Sequence, residues 1–166
     1  WTWQQRYVYD VTDFAPLLHD TAKIRIFYSG YSGGFTGNIR FAFIEGAPDR
    51  EVTGIHRLWS GSFGYGGTPP GINAHFPVVN ETAPQNTKSA DLKFLVTGHG
   101  SDANYCCEFM PHDYMVYFNG SQIGRQTIWR DDCGMNELYP QSGTWVYDRA
   151  NWCPGASVNW YTHNLP

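Results

Sequence analysis

The residues best suited to chemistry are a glutamate and an arginine in two segments that contain few other charges. Glu108 lies between Cys107 and Phe109, and Arg149 follows Asp148. A carboxylate flanked by cysteine and phenylalanine is partly desolvated and suits a specific hydrogen-bonding role, whereas a Glu on an irregular loop can equally face solvent. Arg149 could aim its planar guanidinium at a carboxylate or a sugar hydroxyl, or it could form a structural ion pair with Asp148.

The histidines and cysteines do not form a metal-binding pattern. His99 and His112 are isolated, and the sequence has no His-His or His-x-His pair from which a copper or zinc site could be built. Among the four cysteines, only Cys106 and Cys107 are close in sequence. We therefore expect no metal and no cofactor.

Cys133 and Cys153 enclose a long segment that is rich in aromatic residues, glycine and proline. This segment has neither the apolar period of a helix nor the alternation of a strand, so we predict a loop. A disulfide between the two cysteines is a more economical interpretation than a metal site, and it predicts an oxidising compartment. Long cross-linked loops inside compact domains usually have a function, and we expect this one to bind a ligand.

Composition narrows the class of ligand. Aromatic residues make up 17% of the chain and charged residues only 16%, so some rings are expected to face a ligand such as a carbohydrate or a peptide. The alternative is aromatic pairing across strands, which accounts for part of the surplus. The net charge of -4, without a basic run, argues against nucleic acid or an anionic membrane as a partner.

The elements that must position these residues are predicted to be strands. No twelve-residue stretch keeps a helical period, so we predict an all-β, antiparallel jelly roll or sandwich. Asn119-Gly120 between two apolar runs predicts a two-residue hairpin turn. Residues 10–14 and 16–18 predict a turn or one helical turn, and Gly46-Ala47-Pro48-Asp49 marks a boundary. The predicted strands are 23–27, 39–44, 51–58, 92–97, 114–118 and 121–123.

Two sequence blocks carry a resemblance to a known family. Thr97-Gly98-His99-Gly100 followed by Cys106-x-Glu108-Phe109, and Gly143-Thr144-Trp145 followed by Asp148-Arg149-Ala150-x-Trp152-Cys153-Pro154-Gly155, resemble the second domain of the peptide-N-glycosidase F family. Residues 10–14 and 46–48 are similar to the last part of that family's first domain. The resemblance implies two adjacent jelly rolls, with residues 1–48 ending the first and residues 49–166 forming the N-terminal and central part of the second.

The resemblance also implies an activity and a set of site residues. The activity is hydrolysis of the amide that joins Asn to the first N-acetylglucosamine of an N-linked glycan, by a secreted or periplasmic monomer that acts on glycoproteins or glycopeptides. Glu108 would be the supporting carboxylate, and Arg149 would orient a catalytic Asp that the family places upstream of Trp1. The sugar-binding residues would be Trp152, His99, Phe109 and Trp145.

The chain departs from the family pattern at two places, and these keep alternatives open. Met110 replaces the second cysteine of the family's Cys-x-Glu-aromatic-Cys segment, so Cys106 and Cys107 could form a vicinal disulfide, stay reduced or pair outside the chain. A second glycan-contacting Glu would fall near Tyr28 or Ser29, and neither is acidic. A carbohydrate-binding module without catalysis is therefore the alternative, and a copper monooxygenase-like jelly roll is a third hypothesis that rests on fold analogy alone.

Overall fold

The structure is a computed structural model that describes residues 4–27, 36–65, 71–101, 106–138 and 141–166. Contacts between residues divide the chain into two compact units. One unit comprises Trp1–Tyr7 and Arg57–Pro166, and the other comprises Val8–His56. Among the described residues, no helix has the length and apolar character that crossing a bilayer requires. The assignment of residues 1–48 and 49–166 to two jelly rolls stays a prediction.

The strands confirm the predicted all-β, antiparallel class. The described strands form two separate pairs, so the more specific jelly-roll arrangement stays a prediction. Two antiparallel pairs are present, β1 with β4 and β2 with β3. The strands are β1 Ala90–Phe94, β2 His112–Phe118, β3 Ser121–Ile128 and β4 Tyr161–Leu165. Short 3-10 helices span Thr12–Leu17, Ile72–His75 and Cys133–Met135.

The β2–β3 hairpin forms where the sequence predicts it. Asn119 and Gly120 occupy the turn with φ of 48° and 80°, the positive values that a tight hairpin turn requires. The pairing runs from Phe118 with Ser121 to His112 with Ile128, with a register irregularity between Val116 and Tyr117. The hairpin therefore extends well beyond the strands predicted from alternation.

Three predicted strands are wrong. Residues 23–27, 39–44 and 51–58 make no strand pairing with the described residues. Their large apolar side chains are mostly exposed, and Phe27, Phe43 and Ile44 are among the most exposed of all. A β-strand is defined by its hydrogen bonds to a neighbouring strand. Alternation of apolar and polar residues can favour an extended backbone, but it does not form a sheet when no partner strand lies alongside. By contrast, the predicted helical turn is confirmed as Thr12–Leu17, and Asp10 Oδ1 accepts the Thr12 N–H at 2.9 Å.

An aromatic cluster joins the two strand pairs and leads to the functional residues. Phe94 in β1 packs edge-to-face on Tyr114 in β2, with ring centroids 5.0 Å apart. The Tyr114 hydroxyl lies 2.8 Å from His163 Nε2 in β4, and burial raises the pKa of Tyr114. Tyr161 accepts the backbone N–H of Trp129 at 3.2 Å. The cluster thus fixes the end of β3, from which the chain continues into the site.

Candidate functional site

The loop that carries Arg149 is attached to the end of β3 and to the Glu108 segment by backbone hydrogen bonds. Arg130 and Arg149 form an antiparallel bridge, in which Arg130 N–H donates to Arg149 O at 2.8 Å and Arg149 N–H donates back at 3.1 Å. Ala150 N–H donates to Glu108 O at 2.8 Å. Glu108 and Arg149 are therefore brought together by backbone pairing across 41 positions of sequence.

The predicted disulfide between Cys133 and Cys153 is confirmed. The two Cα atoms lie 5.2 Å apart, and both residues are buried. This separation is within the usual range for a disulfide. Asn151, which has a positive φ of 59° and is fully buried, donates from Nδ2 to the carbonyls of Val96 at 3.0 Å and Asn159 at 2.8 Å. The disulfide and this Asn together hold the loop on both sides of Trp152.

The segment with Gly98 and Gly100 packs directly against the glutamate. Gly100 O accepts the backbone N–H groups of Cys107 and Glu108 at 3.0 and 2.9 Å, and Gly98 N–H donates to Ala150 O at 3.1 Å. A Cβ at Gly98 would overlap with Cys107 O and would lie 2.8 Å from the Ala150 Cβ. Only glycine allows this close approach of two backbones, so the residue between the predicted strand and His99 has a packing role.

Cys106 and Cys107 form a disulfide with each other, which resolves the three alternatives that the sequence leaves open. Cys106 is buried, and the Cys107 carbonyl packs against Gly98. The disulfide therefore lies directly beside Glu108. Its two halves are adjacent in sequence, so it cannot enclose the glutamate in a loop.

Glu108 and Arg149 form a partly buried ion pair at the centre of the site. Arg149 Nη1 donates to Glu108 Oε1 at 2.7 Å, and the second carboxylate oxygen accepts the Gly100 N–H at 3.2 Å. The Arg149 side chain is 2% exposed and that of Glu108 is 18% exposed. Charge-assisted hydrogen bonds of this kind fix both groups in direction as well as position. The hypothesis that Arg149 pairs with Asp148 is wrong, because its carboxylate partner is Glu108.

The remaining donors of Arg149 are directed at its own loop. Nε donates to Tyr147 O at 3.1 Å, and Nη2 donates to both the carbonyl and the hydroxyl oxygen of Thr144. A guanidinium has five N–H groups, and the described contacts use both of those on Nη2, the one on Nε and one of the two on Nη1. Arg149 therefore ties the Thr144–Tyr147 turn to Glu108, and its fifth N–H has no acceptor among the described residues.

Two aromatic rings lie against the guanidinium. The Arg149 Cζ lies 4.8 Å from the Phe109 ring centroid and 4.6 Å from the Trp152 ring centroid, which is cation–π geometry. The Trp152 indole donates to Gly98 O at 2.8 Å and packs on His99, with ring centroids 4.7 Å apart. His99 Nε2 lies 2.9 Å from the Thr97 hydroxyl. The site is a continuous stack of His99, Trp152, Arg149 and Phe109.

The structure brings five of the six predicted catalytic and sugar-binding residues into this stack and its ion pair. They are Glu108, Arg149, Trp152, His99 and Phe109. The sixth, Trp145, is half-buried in the turn between Thr144 and Tyr147. Whether any of the six performs catalysis or binds sugar stays a prediction.

Sequence reasoning missed the residues that support the stack through backbone atoms. Thr144 and Tyr147 hold the guanidinium with their carbonyls, and Gly100 holds the carboxylate with its N–H. Every residue has the same backbone N–H and C=O groups, so the sequence does not show which of them bind a side chain. Only the glycines could have indicated that two backbone segments approach each other closely. The second acidic position, near Tyr28 or Ser29, lies outside the described residues. In the part of the chain that the structure describes, no group of three or more His, Cys, Asp or Glu is arranged to hold a metal ion.

Residues 72–166 match the family model described as Peptide-N-glycosidase F, C terminal, and the chain belongs to that family. The motif resemblance is thereby confirmed.

One curated relative is peptide-N(4)-(N-acetyl-beta-D-glucosaminyl)asparagine amidase F from Elizabethkingia miricola. It is 28% identical to this chain over 160 residues, which cover 90% of this chain and 45% of the relative. The chain thus spans less than half the length of this relative. No solved structure matches the chain.

Proposed function

We propose that this protein takes part in hydrolysis of the amide between Asn and the first N-acetylglucosamine of N-linked glycans. In this reaction, water adds to the Asn side-chain carbonyl and the carbon–nitrogen bond breaks. The peptide keeps the carbonyl as Asp, and the glycan leaves with the nitrogen. The relative's name describes an amidase that acts on this linkage. The observation that carries the proposal is the Glu108–Arg149 pair, which combines a fixed carboxylate with flanking aromatic rings.

Glu108 is proposed as a positioning group for water or for the first sugars, not as the main acid or base. Both of its oxygens accept hydrogen bonds from within the protein, one from Arg149 and one from Gly100. Each carboxylate oxygen has a second lone pair, so the group can accept a further donor from water or a sugar hydroxyl. The second N–H on Arg149 Nη1, which has no acceptor within the part of the chain that the structure describes, suits an acceptor such as the catalytic Asp that the family resemblance implies.

The proposal is tested with the full-length natural protein and an N-glycopeptide, with mass spectrometry to detect conversion of Asn to Asp. We expect Glu108→Gln to reduce kcat/KM by about a hundredfold or more, because the neutral amide brings two donors where the carboxylate offers only acceptors. Glu137→Gln is the matched control, because Glu137 is exposed and its oxygen lies 3.4 Å from Gln5 in a surface contact. The absence of glycan release by the unmodified protein would refute the amidase proposal.

The second candidate function is carbohydrate binding without catalysis. It is favoured by the extent to which Arg149 is used inside the protein, since a side chain with four of its five donors satisfied has little left for chemistry. Binding to a glycan array without turnover by the full-length protein would support this function. Loss of that binding on Trp152→Ala would locate it in the stack.

The proposed function also suggests where the protein is located and what it acts on. Disulfides at Cys106–Cys107 and Cys133–Cys153 suit an oxidising environment, so we propose a secreted or periplasmic protein that acts on glycoproteins or glycopeptides as a monomer. Extraction of the native protein under thiol-blocking conditions, followed by peptide mapping, would test both pairings. Free thiols at Cys133 and Cys153 would argue against this compartment.

A further inference from the structure

The Cys106–Cys107 disulfide is a part of the site to which the proposed function gives no role. It joins two adjacent residues, whereas the Cys133–Cys153 disulfide closes a loop across 20 positions. In the chain-entropy model, a disulfide stabilises the folded state by restricting the unfolded chain, and the effect grows with the length of the loop that it closes. The Cys106–Cys107 bond therefore contributes little in this way, and we expect its effect to be local.

The backbone next to this disulfide directs the Glu108 side chain. Ser101 and Cys107 form an antiparallel bridge, and Gly100 O accepts the N–H groups of both Cys107 and Glu108, at 3.0 and 2.9 Å. The Gly100 N–H donates in return to the Glu108 carboxylate at 3.2 Å. Cys107 is at the centre of this pairing, and its disulfide ties it to Cys106, which is buried. The direction of the carboxylate thus depends on how the Cys107 backbone is held.

The two disulfides differ in their access to solvent. Cys133 and Cys153 are 0% and 3% exposed, whereas Cys107 is partly exposed beside the buried Cys106. A disulfide opens when a thiolate attacks one of its sulfur atoms, so a reagent in solution must be able to reach that atom. We therefore expect a small dithiol to open Cys106–Cys107, through Cys107, at a lower concentration than it needs to open Cys133–Cys153.

We propose that the Cys106–Cys107 disulfide is a positioning element for Glu108, so that the site is competent only while this bond is formed. A dithiol opens the bond in two steps. One of its thiolates attacks Cys107 Sγ, the S–S bond breaks, and Cys106 leaves as a thiolate that takes up a proton. The second thiolate of the dithiol attacks the mixed disulfide and releases Cys107 in the same way. The protein gains two electrons and two protons, and the dithiol becomes a cyclic disulfide.

Opening the bond releases Cys107 from the buried Cys106 and frees the backbone that carries Glu108. A site that depends on this bond assembles only in an oxidising compartment, so the protein is inactive while it is still in a reducing one. The inference rests on the proposed function for the reaction that Glu108 serves, but its structural measurement does not.

The test treats the full-length natural protein with increasing dithiothreitol and maps each opened disulfide by thiol alkylation and mass spectrometry. Once Cys106–Cys107 is open and Cys133–Cys153 is intact, hydrogen exchange at the Cys107 and Glu108 amides should be about tenfold faster or more, because their local pairing has loosened. Exchange in the β2–β3 hairpin should stay the same. For release of glycan from an N-glycopeptide, kcat/KM should fall about tenfold or more through misplacement of Glu108, and reoxidation should restore it.

The matched control is the double variant Cys106→Ser, Cys107→Ser, which keeps two small polar side chains but cannot form the bond. It should show fast exchange at the amides of residues 107 and 108 and a low kcat/KM without any dithiol. Neither value should change when dithiothreitol is added, because the bond that responds to it is missing.

The outcomes separate this inference from the amidase proposal. If opening the bond speeds exchange at Glu108 but no form of the protein releases glycan, hydrolysis fails and the positioning of Glu108 stands. If the protein releases glycan and keeps its kcat/KM with Cys106–Cys107 open, the inference is overturned. A response to dithiothreitol that persists in the double variant also overturns it, since another disulfide would then be the cause. Faster exchange throughout the hairpin overturns it as well, because the bond would then support the whole fold.

Discussion

The two aromatic rings that lie against the Arg149 guanidinium have different surroundings. Trp152 is tied by its indole to Gly98 O at 2.8 Å and packs on His99, which is itself in contact with Thr97. Phe109, by contrast, is 42% exposed and lines a surface cavity of about 590 Å³ together with Trp129, Val146 and Tyr147. The first ring is anchored by the protein, whereas the second is exposed.

The two rings make similar contacts with the Arg149 guanidinium, but their surroundings indicate different roles. The cation–π distances are nearly equal, at 4.8 Å for Phe109 and 4.6 Å for Trp152. What distinguishes the rings is the hydrogen bonding and packing behind them. We therefore expect substitutions on the Trp152 side to affect stability most, and substitutions on the Phe109 side to affect ligand binding most.

The largest effect is expected from removal of the guanidinium that both rings contact. Arg149→Met leaves the half-buried Glu108 carboxylate without its charged partner and removes the donor to the Thr144 and Tyr147 carbonyls. Loss of one member of a buried ion pair costs about 3–5 kcal/mol, which should appear as a lower free energy of unfolding in urea. Arg125→Met is the control, because Arg125 pairs with Asp113 at the exposed surface of the hairpin and its loss should cost only a small part of that. Equal losses in the two variants would contradict this role of Arg149.

A smaller loss is expected from a methyl group on the anchored side. In Gly98→Ala, the new Cβ overlaps with Cys107 O and presses on Ala150, so the backbone that supports Trp152 and Glu108 must shift. Overpacking of this kind costs about 1–3 kcal/mol in the free energy of unfolding. Gly37→Ala is the matched control, since a Cβ there has nothing within 4 Å. A Gly98→Ala variant as stable as Gly37→Ala would show that the two segments are not held together.

One substitution at each ring tests whether the two rings differ in their effect on stability. Trp152→Phe keeps a ring over Arg149 but leaves Gly98 O without its donor, and we expect a loss of about 1–2 kcal/mol in the free energy of unfolding. Phe109→Leu keeps apolar volume at an exposed position and should change stability by less than about 0.5 kcal/mol.

Glycan affinity should show the opposite order. Phe109→Leu is expected to weaken binding more than Trp152→Phe does, because it removes the ring face that borders the cavity. Calorimetric titration of both variants with a free N-glycan gives this measurement. The distinction between an anchored and an exposed ring would be lost if Trp152→Phe weakened binding more.

A structural feature could be predicted from the sequence when the residues that cause it lie close together in the chain. The β2–β3 hairpin follows from Asn119-Gly120 itself, because the turn's positive φ values suit those two residues. The Cys133–Cys153 bond follows from the small number of candidate partners. By contrast, residues 23–27, 39–44 and 51–58 show the alternation of strands without any strand partner among the described residues, and alternation cannot supply one.

The site itself could be predicted only in part, for the same reason. Glu108 and Arg149 were singled out by residue type, but their pairing depends on backbone bridges from Arg130 and Ala150 that no local pattern encodes. Only the family resemblance placed them in one site. From residue type alone, Arg149 could aim at a carboxylate or a sugar hydroxyl, or it could pair with its neighbour Asp148. The structure gives it a carboxylate partner, but one that lies 41 positions away.

The smallest effect is expected at the outer attachment of the Arg149 loop, where Arg130 also binds Asp132. Nε and Nη2 of Arg130 donate to the two Asp132 oxygens at 2.7 and 2.8 Å, and these hydrogen bonds lower the pKa of Asp132. In the unfolded chain, the carboxyl has an ordinary pKa of about 3.9. The folded state therefore holds this proton less tightly, so the stabilisation is present above about pH 4 and is lost as pH falls through the lower folded pKa.

Unfolding measured from neutral to acid pH, for the unmodified protein and for Asp132→Asn, tests this attachment. The unmodified protein should be slightly more stable near neutral pH, and the difference should shrink as the carboxyl becomes protonated. The same difference should be absent in an Arg130→Met background, because the donor that lowers the pKa is gone. A difference that stays constant with pH would mean that Asp132 contributes through its position before the Cys133–Met135 helix and not through its charge. Arg130 would then hold the Arg149 loop by its backbone bridge and by its Nη1 bond to Ser157 O at 2.6 Å alone.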